Sequence, residues 1–188
     1  MPKRSSDDRA DALLLIDVIN GFAFDGSGPI LKAATRAASR IEALAIRARA
    51  KKIPVIYVND NFGRWRSDFE AIVGGCTAPD QPGRHVADRL RPHDGDYFVL
   101  KPLHSGFYST PLELLLRHLK VRTVAIAGFA ANLCVAFTAN DAYMLGFHVV
   151  APSDCTAANR PDLTRETLKH IRIALHGTVV PSARVRFR

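Results

Sequence analysis

Cysteine is scarce in this chain: there are three in 188 residues, Cys76, Cys134 and Cys155, widely spaced and with no Cys-x-x-Cys pair. That excludes a disulfide-stapled scaffold and gives no paired-cysteine zinc or redox motif. Long apolar runs are absent too. None approaches the ~20 residues of a membrane span, and the opening MPKRSSDDRAD lacks the apolar stretch of a secretory signal. A cytoplasmic protein with no membrane partner is expected. The chain has no internal repeat, no low-complexity tract, and no helix-turn-helix, zinc-finger or RNA-recognition signature.

What is present describes a soluble globular protein. The chain is 47% hydrophobic and 23% charged, with a mean hydropathy near zero. Its 188 residues suit a single core, because cores stop growing only beyond ~250 residues. One domain over 1–188 is expected, with the core at about 12–180 and polar, basic termini. The net charge of +8 invites a nucleic-acid reading. Half of that excess, however, lies in the two ends, around Lys3, Arg4 and Arg9 and at Arg184, Arg186 and Arg188. No basic stripe interleaved with aromatics runs through the body, so no nucleic-acid partner is expected.

Short runs rich in Val, Ile and Leu alternate with stretches of helical period. The runs are Ala12–Val18, Pro54–Val58, Tyr97–Leu100, Thr123–Gly128, Phe147–Ala151 and the weaker Thr178–Val180. The first, second and fourth are nearly continuous in apolar residues, as strands buried on both faces must be. Helices are expected at Leu31–Lys51, Pro111–Lys120, Leu133–Leu145 and about Asp162–Leu175. The fold class is therefore α/β: a three-layer, Rossmann-like arrangement with a six-stranded, mainly parallel sheet and helices on both faces. Asn59–Asp96, broken by glycines and prolines, is expected to be an irregular pocket wall or lid.

Ligands of open α/β sheets bind beyond the carboxyl ends of the strands. There the chain places Asp17 after the first run, Lys101 after the third, and Cys134 in the stretch after the fourth. Singly, each has an ordinary explanation: a loop-capping acid, a surface lysine, a small buried thiol. Together they supply a base, a cation and a nucleophile at one sheet edge. A thiol at a helix N-terminus beside a cation is expected to ionise easily. Cys76 and Cys155 have no such setting and are expected to be structural.

Three segments carry a resemblance: LLLIDVINGF, KPLHSGFYSTPLELLL and GFAANLCVAFTANDAYMLGFHVVAPSDCTAA. In this order they resemble the isochorismatase-like cysteine hydrolases, which include nicotinamidases, N-carbamoyl amide hydrolases and ureido-compound hydrolases. The resemblance spans about Ala12 to Val180. It implies a catalytic triad of Asp17, Lys101 and Cys134, with Cys134 attacking a carbonyl carbon to form an acyl-enzyme. It also implies an oxyanion hole from the backbone N–H groups of Ala130 and Cys134, a cis peptide at Phe129-Ala130, and a dimer or tetramer. The chain departs from the family at Ala131 and Asn132, where Thr and Asp are common. Nicotinamidases of the family hold a metal after the second strand, but that segment here reads Asn59-Asp60-Asn61-Phe62-Gly63-Arg64-Trp65, with no histidine. Neither metal nor other cofactor is expected.

Phe22, Asn61, Trp65 and Phe107 are the candidate pocket walls, and His104 is expected to face the pocket. Arg64 or Arg66 is a candidate clamp for a substrate carboxylate. The expected activity is metal-independent hydrolysis of a small amide, ureido or N-carbamoyl in class, with a small amide or carboxylate-bearing molecule as partner. The alternatives are vinyl ether hydrolysis of the isochorismatase type and a catalytically silent binding module.

Overall fold

A computed structural model describes residues 9–66 and 68–188. Its strands are β1 (Arg9–Ala10), β2 (Ala12–Ile16), β3 (Val55–Asp60), β4 (Tyr97–Lys101), β5 (Thr123–Phe129), β6 (His148–Pro152), β7 (Thr156–Ala157), β8 (Thr178–Val180) and β9 (Arg186–Phe187). Its α-helices are α1 (Gly28–Ala50), α2 (Phe69–Cys76), α3 (Arg84–Arg89), α4 (Leu112–His118), α5 (Ala136–Met144) and α6 (Pro161–Ile173). The main sheet is parallel and runs β4-β3-β2-β5-β6-β8, with the short β7 also pairing with β5. Among the described residues no helix is long and apolar enough to cross a membrane.

Successive strand side chains point to opposite faces, so each strand feeds two cores. Leu13, Leu15, Tyr57 and Ala125 pack with Ala34, Ile41 and Leu44 of α1 and with Ile72 and Val86 of α2 and α3. Leu14, Ile16, Val58 and Ile126 pack with Leu112 and Leu116 of α4, Ala139 of α5 and Ile171 of α6. This is the expected three-layer arrangement. Burying each large aliphatic contributes roughly 1.5–3 kcal/mol, and the continuous apolar reading of β2 and β5 follows from having helices on both sides.

The strand order reverses between β2 and β5, the switch point beyond which open parallel sheets bind ligands. Close approach at this point depends on Gly128, whose φ is +119° and whose added Cβ would lie 2.0 Å from the Ile16 carbonyl oxygen. No side chain fits between these two strands.

Two expectations need correction. The segment 59–96 is not wholly irregular, since it contains α2 and α3. Asp68 caps α2 by accepting from the Ala71 N–H at 2.7 Å, while Gly74 and Gly75 inside the helix hide its period. The core also extends beyond 12–180. Arg9–Ala10 pairs in parallel with Arg186–Phe187, and Ala10, Val185 and Phe187 are buried. Arg47 of α1 donates to the carbonyls of Ser182 and Val185 at 3.0 and 2.5 Å, fastening the last residues to the body. Residues 1–8, with the basic side chains read near the start, lie outside the described residues.

Candidate active site

Asp17 leaves the end of β2 in a left-handed conformation, φ +49°, which Asp tolerates better than most residues. Its N–H donates to the Val58 carbonyl at 3.0 Å, and its Oδ1 accepts from the Asp60 N–H at 2.6 Å. The loop beyond it is clamped by buried Asn59. The Asn59 Nδ2 donates to the Ile19 carbonyl at 2.9 Å, and its Oδ1 accepts from the Ile19 N–H at 3.2 Å. The carboxylate is therefore fixed by backbone on both sides rather than left on a mobile loop.

Lys101 is the last residue of β4 and is fully buried. Its Nζ lies 2.9 Å from Asp17 Oδ2 and 3.4 Å from Asp60 Oδ2, and donates to the Leu103 carbonyl at 3.2 Å. It also lies 3.5 Å from the Cys134 Sγ. A buried ammonium needs such company, because desolvating an unpaired charge is expensive. The β3–β4 register supplies part of it, setting Asp60 directly opposite Lys101.

Cys134 lies in a π-helical turn, Ala131–Val135, between β5 and α5. The peptide bond Phe129-Ala130 is cis. The Cys134 sulfur is electrostatically coupled to the Asp17 carboxylate, and the His104 Nδ1 stands 3.9 Å from it. The loop after Lys101 is held against α5. Ser105 Oγ donates to Asp141 at 2.5 Å, and the Gly106 N–H donates to Thr138 Oγ1 at 3.0 Å.

The electrostatics correct the expectation of an easily ionised thiol. Burial, and then the neighbouring Asp17 carboxylate, push the Cys134 thiol up to about 12, and Lys101 only partly opposes them. Burial also holds the Asp17 carboxyl above its ordinary value despite Lys101. Burial works against the Lys101 ammonium as well, but attraction to Asp17, Cys134 and Asp60 outweighs it and the ammonium holds its proton above the usual range. The Cys134 thiol and the Lys101 ammonium thus both hold their protons more tightly than usual, beside a carboxyl that is itself raised.

The other sequence-predicted residues divide. Phe22 packs edge-on against Phe129, with ring centroids 6.0 Å apart. With Asn20, Phe62, Arg64 and Gln81 it lines a cavity of about 310 Å³ between the loop after β2 and α2. Asn61 is buried and organises its own turn, its Oδ1 accepting from the Gly63 N–H at 2.9 Å. His104 reaches the site, and its ring lies 5.4 Å from Phe137. Trp65 does not: it is 81% exposed, in a turn after β3. Phe107 is also no pocket wall, because it stacks on Phe147 at 5.9 Å within the core under α4 and α5. Arg66 is exposed, and of the two candidate arginines only Arg64 lines that cavity.

Sequence reasoning missed Asp60 as a site residue. In the sequence it is only a position in a segment lacking histidine ligands, yet its N–H donates to Asp17 and its carboxylate lies 3.4 Å from the Lys101 Nζ. An acid ending an apolar run next to the switch point was the available signal. Among the described residues, no three His, Cys, Asp or Glu side chains converge as metal ligands would.

An open parallel α/β sheet carrying Asp, Lys and Cys at its topological switch point defines a class, and comparison with known proteins specifies it. Residues 11–184 match the isochorismatase domain, so the chain belongs to the isochorismatase family of hydrolases. It is 42% identical over 148 residues, 79% of this chain and 81% of the relative, to an uncharacterized isochorismatase family protein, YaaI, of Bacillus subtilis. It is 28% identical over 195 residues to a ureidoacrylate amidohydrolase, RutB, of Methylorubrum extorquens, covering 86% of this chain and 76% of that one. Among solved structures, N-carbamoylsarcosine amidase from Thermoplasma acidophilum superposes with a TM-score of 0.71 at 29% identity, covering 91% and 95% of the two chains.

Proposed function

We propose that this protein is a cysteine hydrolase of a small amide, ureido or N-carbamoyl in class, with Asp17, Lys101 and Cys134 as its catalytic triad. The observation that carries this reading is the meeting of the Cys134 Sγ, the Asp17 carboxylate and the Lys101 ammonium, the sulfur and a carboxylate oxygen lying 3.5 and 2.9 Å from one Nζ. Membership of the family supports it, as does similarity to a ureidoacrylate amidohydrolase and an N-carbamoylsarcosine amidase.

Asp17 takes the thiol proton as Sγ forms its bond to the carbonyl carbon. Lys101 keeps the carboxylate and the developing thiolate in register and offsets their charge. The oxyanion is received by the N–H groups of Ala130 and Cys134, which is the role a preorganised backbone fills best. The C–N bond then breaks, with the proton held on Asp17 passing to the leaving nitrogen. Water attacks the thioester carbon, giving a proton to Asp17, and the acid departs as Cys134 regains its proton. Because the thiol rests protonated, nucleophile formation is coupled to substrate arrival. This limits side reactions of a free thiolate. No step requires a metal.

The test is ammonia release from a panel of N-carbamoyl and ureido acids, run beside isochorismate. Activity on an amide that disappears in Cys134→Ala supports the reading. Isochorismate turnover that survives Cys134→Ala overturns it. So does salt-sensitive nucleic-acid binding without turnover of any amide.

A further inference from the structure

The largest of the described cavities lies away from Asp17, Lys101 and Cys134, none of which lines it. About 600 Å³ in volume, it lies between α1 and the start of α6 and is floored by Thr156, Ala157 and Ala158. Its rim is cationic. Lys32, Arg36 and Arg40 come from α1, and Arg165 faces them from α6. The spacing of four along α1 puts its three cations on one helical stripe, with Ala33 and Ala37 between them keeping the groove open. Three arginines also line a smaller cavity of about 150 Å³ beside α1 and α3, but there Arg49, Arg89 and Arg91 are each paired with a carboxylate.

The carboxylates nearby offset this rim only in part. Asp154 is the one acid lining the cavity, and its oxygens accept from the Ser182 N–H at 2.7 Å and from the Ser182 hydroxyl at 2.9 Å. Asp162, in the first turn of α6, is paired with Arg160. Lys32, Arg36 and Arg165 form no ion pair with a described carboxylate, while Arg40 acts electrostatically on buried Cys155. An ordinary solvated helix face intersperses both signs. Here α1 shows cations alone toward a concave surface with an apolar floor.

From this geometry we infer a second binding site, in the α1–α6 cleft, for a small ligand bearing two or more phosphate groups. Guanidinium forks match phosphate oxygens two at a time, and a lone carboxylate would leave most of the rim's charge unanswered. The volume lies in the range of small-molecule sites and exceeds what an inorganic anion needs. The apolar floor of Ala157, Ala158 and Pro161 leaves room for an organic body beyond the phosphates. This inference is independent of the chemistry proposed at Cys134.

The probe is inorganic pyrophosphate, titrated calorimetrically into the full chain at fixed ionic strength, with sodium sulfate as the charge control. Saturable pyrophosphate binding is expected, weakened roughly tenfold or more in Arg36→Ala and in Arg165→Ala and unchanged within about twofold in Lys169→Ala, an exposed cation of α6 outside the cleft. Circular dichroism of each variant checks that it folds, and Lys32→Ala is a second reporter should Arg36→Ala unfold. Absence of saturable binding overturns the proposal. It is equally overturned by sulfate binding as tightly as pyrophosphate, or by Lys169→Ala losing as much affinity as Arg36→Ala.

Discussion

Cys134 and Cys155 have the same raised thiol, each pushed to about 12, first by burial and next by a neighbouring carboxylate, Asp17 in one case and Asp154 in the other. What differs is everything else around the sulfur. Cys155 is fully buried, and Asp154 is occupied by Ser182. Cys134 is partly open, and its carboxylate and sulfur share an ammonium that contacts both. A thiol's acidity does not mark it as a nucleophile. A proton acceptor, a cation that remains when the proton moves, and a path for the electrophile do.

The largest expected contrast is in turnover. Cys134→Ala should lower amide hydrolysis by a factor of about 10,000 or more, while Cys155→Ala stays within about threefold of the parent, measured as ammonia release. Asp17→Asn should cost about a thousandfold in the same assay. It should also make Cys134 alkylate faster with iodoacetamide at pH 8, because it removes a carboxylate that raises the thiol and leaves Lys101 in place. If alkylation slows along with turnover, Asp17 is not what holds the thiol protonated.

Lys101→Met leaves Asp17 and Asp60 facing each other without their cation, and should lower unfolding free energy by about 3–5 kcal/mol in a denaturant titration. Smaller, and readable in the parent protein, is the pH dependence of alkylation. With the thiol near 12, the rate at Cys134 should climb about tenfold per pH unit from pH 7 to 10 without a plateau. A plateau near neutrality would mean the thiolate is already formed at rest. The smallest effect belongs to Asp154→Asn. It should lower the Cys155 thiol and cost about 1 kcal/mol through Ser182, while leaving turnover unchanged.

Much of this molecule was legible in its sequence, and the misses share a cause. β2, β3 and β5 could be read because strands covered on both faces must be apolar throughout, and α1 because its buried stripe repeats over 23 residues. α2 was not, since eight residues with two glycines leave too little period to see. Aromatic residues near a site look alike in one dimension, so Phe107 and Trp65 both read as pocket walls. One stacks in the core on Phe147, and the other projects outward from a turn. Val185 and Phe187 sit among arginines, as in a solvated tail, yet both are buried, Phe187 in the strand that pairs with Arg9–Ala10.

By itself, the sequence determined the α/β class, the succession of strands, and the candidates Asp17, Lys101 and Cys134. Each of those depends on residue type and on position after an apolar run, which are local properties. The tertiary structure alone decided that Asp60 joins them, that Phe107 does not, and that the Cys134 thiol is raised rather than lowered. Those outcomes depend on strand register, on distances between residues 17, 60, 101 and 134, and on how much water reaches them. Electrostatic energy is set by separation and burial in space, and neither is a property of neighbours along the chain.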